Sequence, residues 1–256
     1  MTEMKDLLLD NGDCLELLDY VPSDSVDMIL TDLPYGTTAC SWDVIIPLEP
    51  MWEQFKRVLK DTGVIVLTAS QPFTSVLVSS NVKMFRHEWI YQKRVASNFA
   101  QAKRQPLKEH ESVLVFSKGS KYKYYPIKEE RKGGGLSRIK SPYKTNSDKG
   151  GDFIGGIQRN NAGKQYDELK YPSTVQEFNN RAAGDRGLHP TQKPVALMEY
   201  LIKTYTDEGD TVLDATMGSG TTGVAAVRAK RKFIGFEEDI NYFEMAEKRI
   251  RQELEE

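Results

Sequence analysis

Cysteine and histidine are scarce in this chain of 256 residues, and their scarcity excludes several kinds of site. The two cysteines, Cys14 and Cys40, form no CxxC pair and are too few for a disulfide framework. The three histidines are scattered along the sequence, so we expect no zinc site. The composition therefore favours neither a metal-dependent protein nor a small domain held together by disulfides.

Long apolar segments are also missing from the chain. No run approaches the length of a membrane-spanning helix, and the first ten residues are charged throughout, unlike a secretory signal. We therefore expect a cytoplasmic protein. The hydrophobic fraction of 39% is enough for one sizeable core, with room for a modest inserted lobe.

The net charge of −2 conceals an uneven distribution of charged residues. Residues 83–108 carry a net charge of +6 and residues 118–170 a net charge of +7, which leaves −15 for the rest of the chain. A protein with one surface that faces a polyanion has this asymmetry. Two solvated, lysine-rich loops would produce it as well, and charge alone does not separate the two interpretations.

Apolar runs and helical patterns alternate along most of the chain. Residues 26–31 are almost continuously apolar, as in a buried parallel strand, whereas residues 48–59 place apolar side chains at helical spacing. This alternation predicts an α/β fold, doubly wound around a mostly parallel sheet of seven strands. The predicted strands are residues 6–9, 26–31, 64–68, 88–92, 111–116, 211–215 and 232–236, and the predicted helices are residues 15–18, 48–59, 73–81, 193–205, 222–229 and 241–254.

Residues 118–188 differ in composition from the sequence on either side. They contain three glycine clusters, are rich in Tyr, Lys and Asn, and show little apolar periodicity. Such a composition is typical of a loop-rich segment of low intrinsic order. We therefore expect an insertion at residues 118–188 that divides the core into residues 1–117 and residues 189–256.

A glycine-rich turn follows one of the predicted strands and leads into a helix. Gly218, Gly220 and Gly223 match GxGxxG, and the first two would let the backbone pass close to a ligand. The pattern alone suits NAD equally. Asp214, however, could accept a hydrogen bond from an ammonium group, which S-adenosylmethionine carries and NAD lacks. Glu237 is placed to bind the ribose diol of either cofactor. A glycine turn that only packs a helix on a strand is the simpler alternative.

The segment Asp32-Leu33-Pro34-Tyr35 follows a buried strand, where ligands bind in doubly wound sheets. The exocyclic amine of a nucleobase is a poor nucleophile because its lone pair is delocalised into the ring. Asp32 and the backbone carbonyl of Leu33 could each accept one amino hydrogen and so direct the lone pair at a methyl donor. Tyr35 offers a face for an extruded base. The same segment would also make an ordinary turn capped by Asp32.

Together these motifs resemble those of the DNA amino-methyltransferases. DLPYG is similar to the family's D/N/S-P-P-Y catalytic motif, and DATMGSGTT to its cofactor motif. NGDCL at residues 11–15 and HPTQKP at residues 189–194 resemble two further family segments. The catalytic motif precedes the cofactor motif, with a long variable segment between them, as in the permuted β group. The resemblance spans nearly the whole chain and is weakest at residues 118–188. The general look of the sequence suggests a phage or prophage enzyme.

The resemblance implies a Rossmann-like methyltransferase fold, S-adenosylmethionine as cofactor, and an inserted segment that reads the target sequence. Lys193 would help to hold the methionine end of the cofactor, and Asp13 would lie near its adenosyl moiety. The implied catalytic residues are Asp32, Leu33, Pro34 and Tyr35. The implied cofactor-binding residues are Asp13, Cys14, Asp32, Lys193, Asp214, Thr216, Gly218, Ser219, Gly220, Thr221 and Glu237.

Leu33 departs from the family pattern, in which this position is usually proline. Leucine loses some backbone stiffness but keeps the carbonyl, so the mechanism stays intact. Asp32 at the first motif position favours adenine N6, whereas serine there is commoner for cytosine N4. The resemblance therefore implies a DNA methyltransferase specific for adenine N6, with cytosine N4 as the alternative.

A basic, polar stretch follows the predicted strand at residues 88–92, and in related enzymes such a stretch lies near the DNA. Its loop at residues 95–106 suits contacts with phosphates. Double-stranded DNA is the predicted partner, and the family suggests a homodimer and a cognate restriction endonuclease as further partners. The predicted DNA-binding residues are Lys93, Arg94, Asn98, Lys103, Arg104 and Lys108.

Four other classes of protein fit the sequence less well. Methyltransferases that act on RNA or on a protein glutamine usually place the catalytic motif after the glycine motif. A C5-cytosine methyltransferase needs a cysteine nucleophile, usually after proline, and neither cysteine here follows proline. Asp32, Pro34 and Tyr35 are all present, which argues against an inactive DNA-binding module. An NAD oxidoreductase would need a second nucleotide-binding half, for which too few residues follow the glycine turn.

Overall fold

The computed structural model describes residues 2–4, 6–36, 43–131, 168–180 and 192–255. The chain forms two compact units, one of Met1–Tyr125 with Thr174–Glu256 and the other of Pro126–Ser173. The first unit carries the large sheet and the six α-helices found among the described residues.

Nine strands form the sheet of the first unit. They are Thr2–Met4 (β1), Leu7–Asn11 (β2), Val26–Thr31 (β3), Leu59–Ala69 (β4), Phe85–Ser97 (β5), Lys108–Phe116 (β6), Val175–Phe178 (β9), Thr211–Asp214 (β10) and Lys232–Glu237 (β11), and the second unit contributes Glu129–Glu130 (β7) and Leu169–Lys170 (β8). The order across the large sheet is β1-β2-β11-β10-β3-β4-β6-β5-β9.

Seven of these strands make the mostly parallel sheet that the sequence predicts. The neighbours β2, β11, β10, β3 and β4 are all parallel, and β6 is antiparallel to both β4 and β5. Two short edge strands are additional: β1 pairs antiparallel with β2, and β9 pairs parallel with β5. They contain three and four residues, too few for a hydrophobic period to be recognised in the sequence.

Six α-helices pack against the sheet, and a short 3-10 helix, Phe99–Gln101, follows β5. The α-helices are Cys14–Leu18 (α1), Leu48–Val58 (α2), Phe73–Ser80 (α3), Val195–Tyr205 (α4), Thr221–Arg228 (α5) and Ile240–Glu255 (α6). None of the helices in the described ranges is long and apolar enough to cross a membrane.

Both faces of the sheet are covered, as the alternation of β3 shows. Every residue of this strand is buried. Met28 and Leu30 point into one apolar cluster, which includes Leu201 of α4, whereas Ile29 points into a second cluster, which includes Phe55 of α2. Helices therefore pack on each face, and the predicted doubly wound α/β fold is confirmed.

Most predicted helices and strands end within about two residues of those in the structure, and the exceptions are β4, β5 and β6. Gly63 follows the predicted helix at residues 48–59 and lies inside β4. A Cβ at this position would lie 2.8 Å from the carbonyl oxygen of Asp27, so close approach of the neighbouring strand explains the glycine. The extra residues of these strands are largely polar, and hydrophobic periodicity does not detect them.

The second unit is described at residues 126–131 and 168–173. There β7 and β8 pair antiparallel, and Lys170 Nζ lies 3.0 Å from Glu129 Oε2. The glycine clusters of the predicted insertion lie outside the described residues. Residues 118–125 of that insertion belong to the first unit, where the Tyr125 N–H donates to the Thr204 carbonyl oxygen over 2.7 Å.

Candidate active site

A cleft of about 1470 Å³ opens where the central strands end. Asp32 follows β3, Asp214 ends β10 and Glu237 ends β11, and all three line the cleft. Because these strands are neighbours in one sheet, their carboxyl ends meet, and the predicted catalytic and cofactor segments share a single cavity.

The glycine turn between β10 and α5 uses its glycines in two ways. Gly218 lines the cleft with a φ of 53°, and a Cβ built there would meet no atom within 4 Å, so the backbone is open to a ligand. Gly220 has a φ of 79°, and a Cβ there would lie 3.0 Å from Ala246 of α6. A Cβ on Gly223 would overlap Ile250 of the same helix. Packing against α6, rather than ligand approach, therefore accounts for the second and third glycines.

The polar residues of this turn connect it to its surroundings. Thr216, Ser219 and Thr221 line the cleft. The Thr216 hydroxyl donates to the backbone carbonyl oxygen of Asp32 over 3.1 Å and so ties the glycine turn to the predicted catalytic loop. From α6, Arg249 donates to the Ser219 carbonyl oxygen over 3.2 Å and to the Thr221 hydroxyl over 3.1 Å. The turn is thereby fixed on both sides.

Asp214 is a buried carboxyl group in the wall of the cleft. Its Oδ1 accepts the Thr216 N–H over 3.1 Å, and the hydroxyls of Thr222 and Thr31 also hydrogen-bond to it. Burial raises the pKa of Asp214 to about 6 in spite of these hydrogen bonds. A carboxylate has about four lone-pair sites, so one acceptor site remains for a cation such as an ammonium group.

Glu237 joins the glycine turn to the segment after β11. Its Oε2 accepts the Gly218 N–H over 2.8 Å, and its Oε1 accepts the Asp239 N–H over 3.0 Å. Burial raises the pKa of Glu237 against the lowering effect of these backbone donors. Each oxygen keeps acceptor capacity, which is what binding of a ribose diol requires.

Asp13 and Cys14 lie where β2 passes into α1, and both line the cleft. Asp13 is the N-cap of α1, since its Oδ1 accepts the Leu15 N–H over 2.7 Å. Burial, followed by the charge of Asp13, raises the pKa of Cys14 to about 12. Cys14 therefore offers a small apolar surface to a ligand and not a thiolate nucleophile.

These residues fit the cofactor that the sequence predicts. Gly218 provides open backbone, Glu237 provides acceptors for a diol, and Asp214 provides a buried carboxylate for an ammonium group. Within the described ranges, no cluster of His, Cys, Asp or Glu is suited to a metal ion.

Asp32 is held by three side-chain donors. Oδ1 accepts hydrogen bonds from the Tyr35 hydroxyl over 2.6 Å and from the Thr68 hydroxyl of β4, and Oδ2 accepts from Lys193 Nζ over 2.5 Å. The carboxylate is thus fixed on the floor of the cleft, between the ends of β3 and β4. The predicted role of Asp32 as an acceptor for an amino group stays a prediction, and this placement is compatible with it.

Leu33 stands where the family motif usually has proline, and the burial of its side chain accounts for this departure. Its side chain is 3% exposed and packs in the cluster that includes Phe55 of α2. The leucine thus anchors the catalytic loop by burial, where proline would stiffen the backbone.

We expect Leu33→Ala to lower the free energy of unfolding by about 2–4 kcal/mol, because it empties a packed site. Denaturant unfolding measures this loss, and Leu33→Met, which conserves volume, should cost less than about 1.5 kcal/mol. Equal stability of both variants would contradict the anchoring role.

Tyr35 is a half-buried residue of the cleft, and Pro34 lines the cleft beside it. The Tyr35 ring stacks on Phe73 with centroids 5.6 Å apart, and Lys193 Nζ lies 5.6 Å from the ring centroid. Burial and then the charge of Asp32 raise the pKa of Tyr35 well above its usual value, so the phenol remains a donor to Asp32. Its predicted stacking on a flipped base stays a prediction.

Lys193 lies beside Asp32, and its predicted contact with the methionine end of the cofactor stays a prediction. The side chain is 6% exposed, and Nζ also lies 3.3 Å from Glu111 Oε2. Glu111 Oε1 in turn lies 2.5 Å from Lys93 Nζ. Burial lowers the pKa of Lys193, but Asp32 and Glu111 hold it well above its usual value. The preceding residues of the HPTQKP segment, His189 to Thr191, lie outside the described residues.

The six predicted DNA-binding residues divide into two groups. Arg94, Lys103 and Arg104 are exposed, as contacts with phosphates require. Asn98, with a φ of 70°, lines the cleft. Lys93 and Lys108 also line the cleft, and burial lowers the pKa of Lys108. Lys93 is paired with the buried Glu111, so its charge is used inside the cleft and not on the surface.

Three residues of the cleft region were missed in the sequence. Thr68 of β4, Tyr91 of β5 and Glu111 of β6 are isolated polar or aromatic residues within strands, with no motif around them. The register brings them together: Tyr91 is the cross-strand partner of Glu111, and β6 pairs with β4 on its other side. Only the strand order, which the sequence did not reveal, would have indicated them.

Comparison with known families gives an extended match. The sequence profile of the DNA methylases matches residues 26–248, which include the catalytic loop, the glycine turn and Glu237. DNA adenine methyltransferase YhdJ of Escherichia coli (strain K12) is 29% identical, over 94% of this chain and 81% of YhdJ. The type II methyltransferase M.HpaI of Haemophilus parainfluenzae is 28% identical, over 95% of this chain and 74% of M.HpaI.

Solved structures show the same fold. M1.HpyAVI, in a complex with S-adenosylmethionine, superposes with a TM-score of 0.64 at 21% identity, covering 95% of this chain and 98% of that one. The PvuII DNA methyltransferase, which is cytosine-N4-specific, gives a TM-score of 0.65 at 17% identity, covering 98% of this chain and 92% of that one. At such identities the likeness shows the fold alone.

Proposed function

This chain belongs to the DNA methylase family of N6 and N4 methyltransferases, and we propose that it methylates the N6 atom of adenine. It is an S-adenosylmethionine-dependent enzyme whose substrate is DNA. Two observations support adenine over cytosine. Asp32 occupies the first motif position, where the family resemblance favours adenine, and the relative YhdJ is named a DNA adenine methyltransferase.

The observation that carries the proposal is the position of Asp32 in the same cleft as Asp214 and Glu237. S-adenosylmethionine supplies an electrophilic methyl group when it is bound. Asp32 accepts one hydrogen of the target amine, and the Leu33 carbonyl accepts the other. As the new N–C bond forms, the bond between the methyl carbon and the sulfur of the cofactor breaks and S-adenosylhomocysteine leaves. The carboxylate offsets the positive charge that the nitrogen gains, and the nitrogen then releases one proton through Asp32 to solvent. The enzyme thus acts by orientation and electrostatics, without a covalent intermediate.

The cofactor would be held by residues that already line the cleft. Asp214 would take the ammonium group, Glu237 the ribose diol, and the open backbone at Gly218 would lie against the ligand. Asp13 would lie near the adenosyl moiety. The direct hydrogen bond from Thr216 to the Asp32 carbonyl would keep the cofactor side in register with the target base.

The test is methylation of unmethylated genomic DNA with isotopically labelled S-adenosylmethionine. The DNA is digested to nucleosides and the labelled product is identified by mass. We expect label in N6-methyladenosine. Label in N4-methylcytosine would overturn the choice of base and leave the reaction type intact, and no label despite cofactor binding would overturn the proposed activity.

The exposed basic loop after β5 supplies a prediction about DNA binding. We expect the double variant Lys103→Ala/Arg104→Ala to weaken DNA binding about tenfold and to lower the salt slope of binding by about 2, because two phosphate contacts are lost. Titration of labelled duplex DNA over a range of salt concentrations measures both. The matched control is Lys230→Ala/Lys232→Ala, at the amino end of β11, where the side chains are 75% and 51% exposed. An unchanged slope in the first variant would remove the loop from the DNA-binding surface.

Two partners follow as proposals from the relatives. M.HpaI is named a type II methyltransferase, which supports a cognate restriction endonuclease for this chain. The endonuclease would be identified by its failure to cut DNA that this enzyme has methylated.

A homodimer, as expected from the family, would show twice the chain mass of 29.1 kDa in light scattering. We also propose a cytoplasmic location, because the proposed substrate is cellular DNA.

A further inference from the structure

The hydrogen bonds of Asp32 leave one of its acceptor sites vacant. A carboxylate offers about four lone-pair sites, two on each oxygen. Tyr35 and Thr68 both donate to Oδ1 and so fill that oxygen. Oδ2 accepts from Lys193 and, among the described residues, from no other side chain. The vacant acceptor of Asp32 is therefore on Oδ2, directly beside the ammonium group of Lys193.

Lys193 in turn has donors to spare. An ammonium group has three N–H donors. Within the described ranges its one hydrogen-bond acceptor is Asp32 Oδ2, at 2.5 Å. Glu111 Oε2 lies 3.3 Å from Nζ and forms an ion pair with it, so at least one further donor of Lys193 has no partner among the described residues. The side chain is 6% exposed, so bulk water does not readily supply the missing partners. A buried cation with unused donors in a cleft is arranged for a ligand.

The surroundings hold Lys193 in this position. Glu111, 12% exposed, lies between Lys193 and Lys93, so that positive and negative charges alternate from Lys93 through to Asp32. Tyr91 is the cross-strand partner of Glu111 and lines the same wall of the cleft. Its hydroxyl is buried and has no hydrogen-bond partner among the described residues. This Tyr91 hydroxyl is independent evidence that a polar ligand completes this end of the cleft.

The acceptor on Asp32 and the donor on Lys193 form a two-point pattern. Adenine presents the complementary pattern, because its N6 amino group donates and the adjacent ring atom N1 accepts. Cytosine presents the same pattern through its N4 amino group and N3. Thymine and the corresponding edge of guanine present a carbonyl beside a protonated nitrogen, which is the reverse. Enzymes that extrude a base read this edge by hydrogen bonds.

We propose that Lys193 selects bases that carry an amino group beside an unprotonated ring nitrogen: it donates a hydrogen bond to that ring nitrogen, N1 of adenine, while Asp32 Oδ2 accepts from the amine itself. The inference rests on the proposed function. It assigns Lys193 to the target base instead of to the methionine end of the cofactor. Glu111 is then a positioning residue, since it touches Lys193 and not Asp32.

A double cycle of enzyme and substrate tests this contact. Sequencing of methylated DNA first locates the target position. Wild type and Lys193→Met are then compared on two duplexes, one with adenine and one with 1-deazaadenine at that position. We expect 1-deazaadenine to lower kcat/KM about 10- to 100-fold for the wild type, the range for a buried hydrogen bond to a charged group, and less than about threefold for Lys193→Met. The analogue also changes the reactivity of the amine, but that effect is common to both enzymes and cancels in the cycle.

Lys93→Met is the matched control, because it removes the other lysine beside Glu111 and leaves Lys193 with Asp32. It should keep the wild-type ratio between the two substrates. Equal ratios for wild type and Lys193→Met would overturn the inference, whereas adenine methylation by the wild type would still uphold the proposed function. Failure of the wild type to methylate adenine would overturn the proposed function instead.

The test survives a Lys193→Met variant that does not fold. Wild-type enzyme is then compared on 1-deazaadenine and 7-deazaadenine, each of which lacks one ring nitrogen. A loss of about tenfold or more for 1-deazaadenine, beyond any loss for 7-deazaadenine, supports the contact with N1. Equal losses for the two analogues would overturn it.

Discussion

Asp32→Ala is expected to lower kcat for methyl transfer about 10³-fold and to change the dissociation constant of S-adenosylmethionine by less than about threefold. The variant removes the acceptor that orients the target amine and the charge that offsets positive charge on the nitrogen. The proposed cofactor ligands Asp214 and Glu237 remain, so binding of the cofactor persists. Lys193 keeps Glu111 as a counter-ion at 3.3 Å, which limits the structural damage. Single-turnover kinetics and cofactor titration measure the two effects separately.

Two further variants define what is lost at Asp32. Asp32→Asn keeps an acceptor oxygen without the charge, and we expect a smaller loss, about tenfold to a hundredfold. Asp61→Ala makes the same chemical change at an exposed side chain of β4, paired at 3.4 Å with Lys118, and should leave kcat unchanged. If Asp32→Ala lost cofactor binding in parallel with activity, Asp32 would be a cofactor ligand and not the residue that orients the amine.

The elements that the sequence predicted well are those whose signal is local. β3 and β10 are short apolar runs; Asp32 directly follows β3 and Asp214 ends β10. Because the carboxyl ends of neighbouring parallel strands meet, both carboxylates lie at the same edge of the sheet. The glycine turn was visible for the same reason. Its three glycines, however, serve different purposes, and GxGxxG could not distinguish the open Gly218 from Gly220 and Gly223, which pack on α6.

The position of Lys193 could not be read from its motif, because it depends on residues far away in the chain. Lys193 lies 161 residues after Asp32, and its second carboxylate, Glu111, is in the antiparallel strand β6. An isolated glutamate in a strand carries no signal of its own. The three groups meet only because the antiparallel β6 lies beside β4 in the sheet, and strand order is a property of the fold.

Counting charges could not tell which basic residues are exposed on the surface and which line the cleft, for a related reason. The net charge of +6 over residues 83–108 suggested a surface for DNA. In the structure, Lys103 and Arg104 are exposed, but Lys93 is paired with Glu111 within the cleft. β5 alternates its side chains, so neighbouring lysine and arginine residues point to opposite sides. A charge total cannot show which of them faces solvent.

Asp214 gives the proposed cofactor site a defined response to pH. Burial raises its pKa to about 6, from an ordinary value of 3.8. Ionisation of this carboxyl therefore costs stability: its contribution to the stability of the free protein is greatest below pH 3.8 and is lost as the pH rises through about 6. A bound ammonium group pairs with the ionised form only, so binding should recover what ionisation costs.

We accordingly expect the affinity for S-adenosylmethionine, without DNA, to rise about tenfold per pH unit below pH 6 and to level off above it. The thermal stabilisation by the cofactor should be larger at pH 7 than at pH 5. Asp214→Asn should bind about 30- to 100-fold more weakly at pH 7.5 and lose the dependence on pH, since a charged hydrogen bond is replaced by a neutral one. Titration calorimetry between pH 5 and 7.5 measures both changes.

Glu237→Gln is the control that separates Asp214 from the second buried carboxyl group of the cleft. It removes the charge of Glu237, whose pKa is also raised by burial, but it leaves Asp214 with its partners Thr216, Thr222 and Thr31. This variant should bind the cofactor more weakly and keep the rise in affinity near pH 6. If Glu237→Gln flattened the profile and Asp214→Asn did not, the titrating carboxylate would be at the ribose and not at the ammonium group.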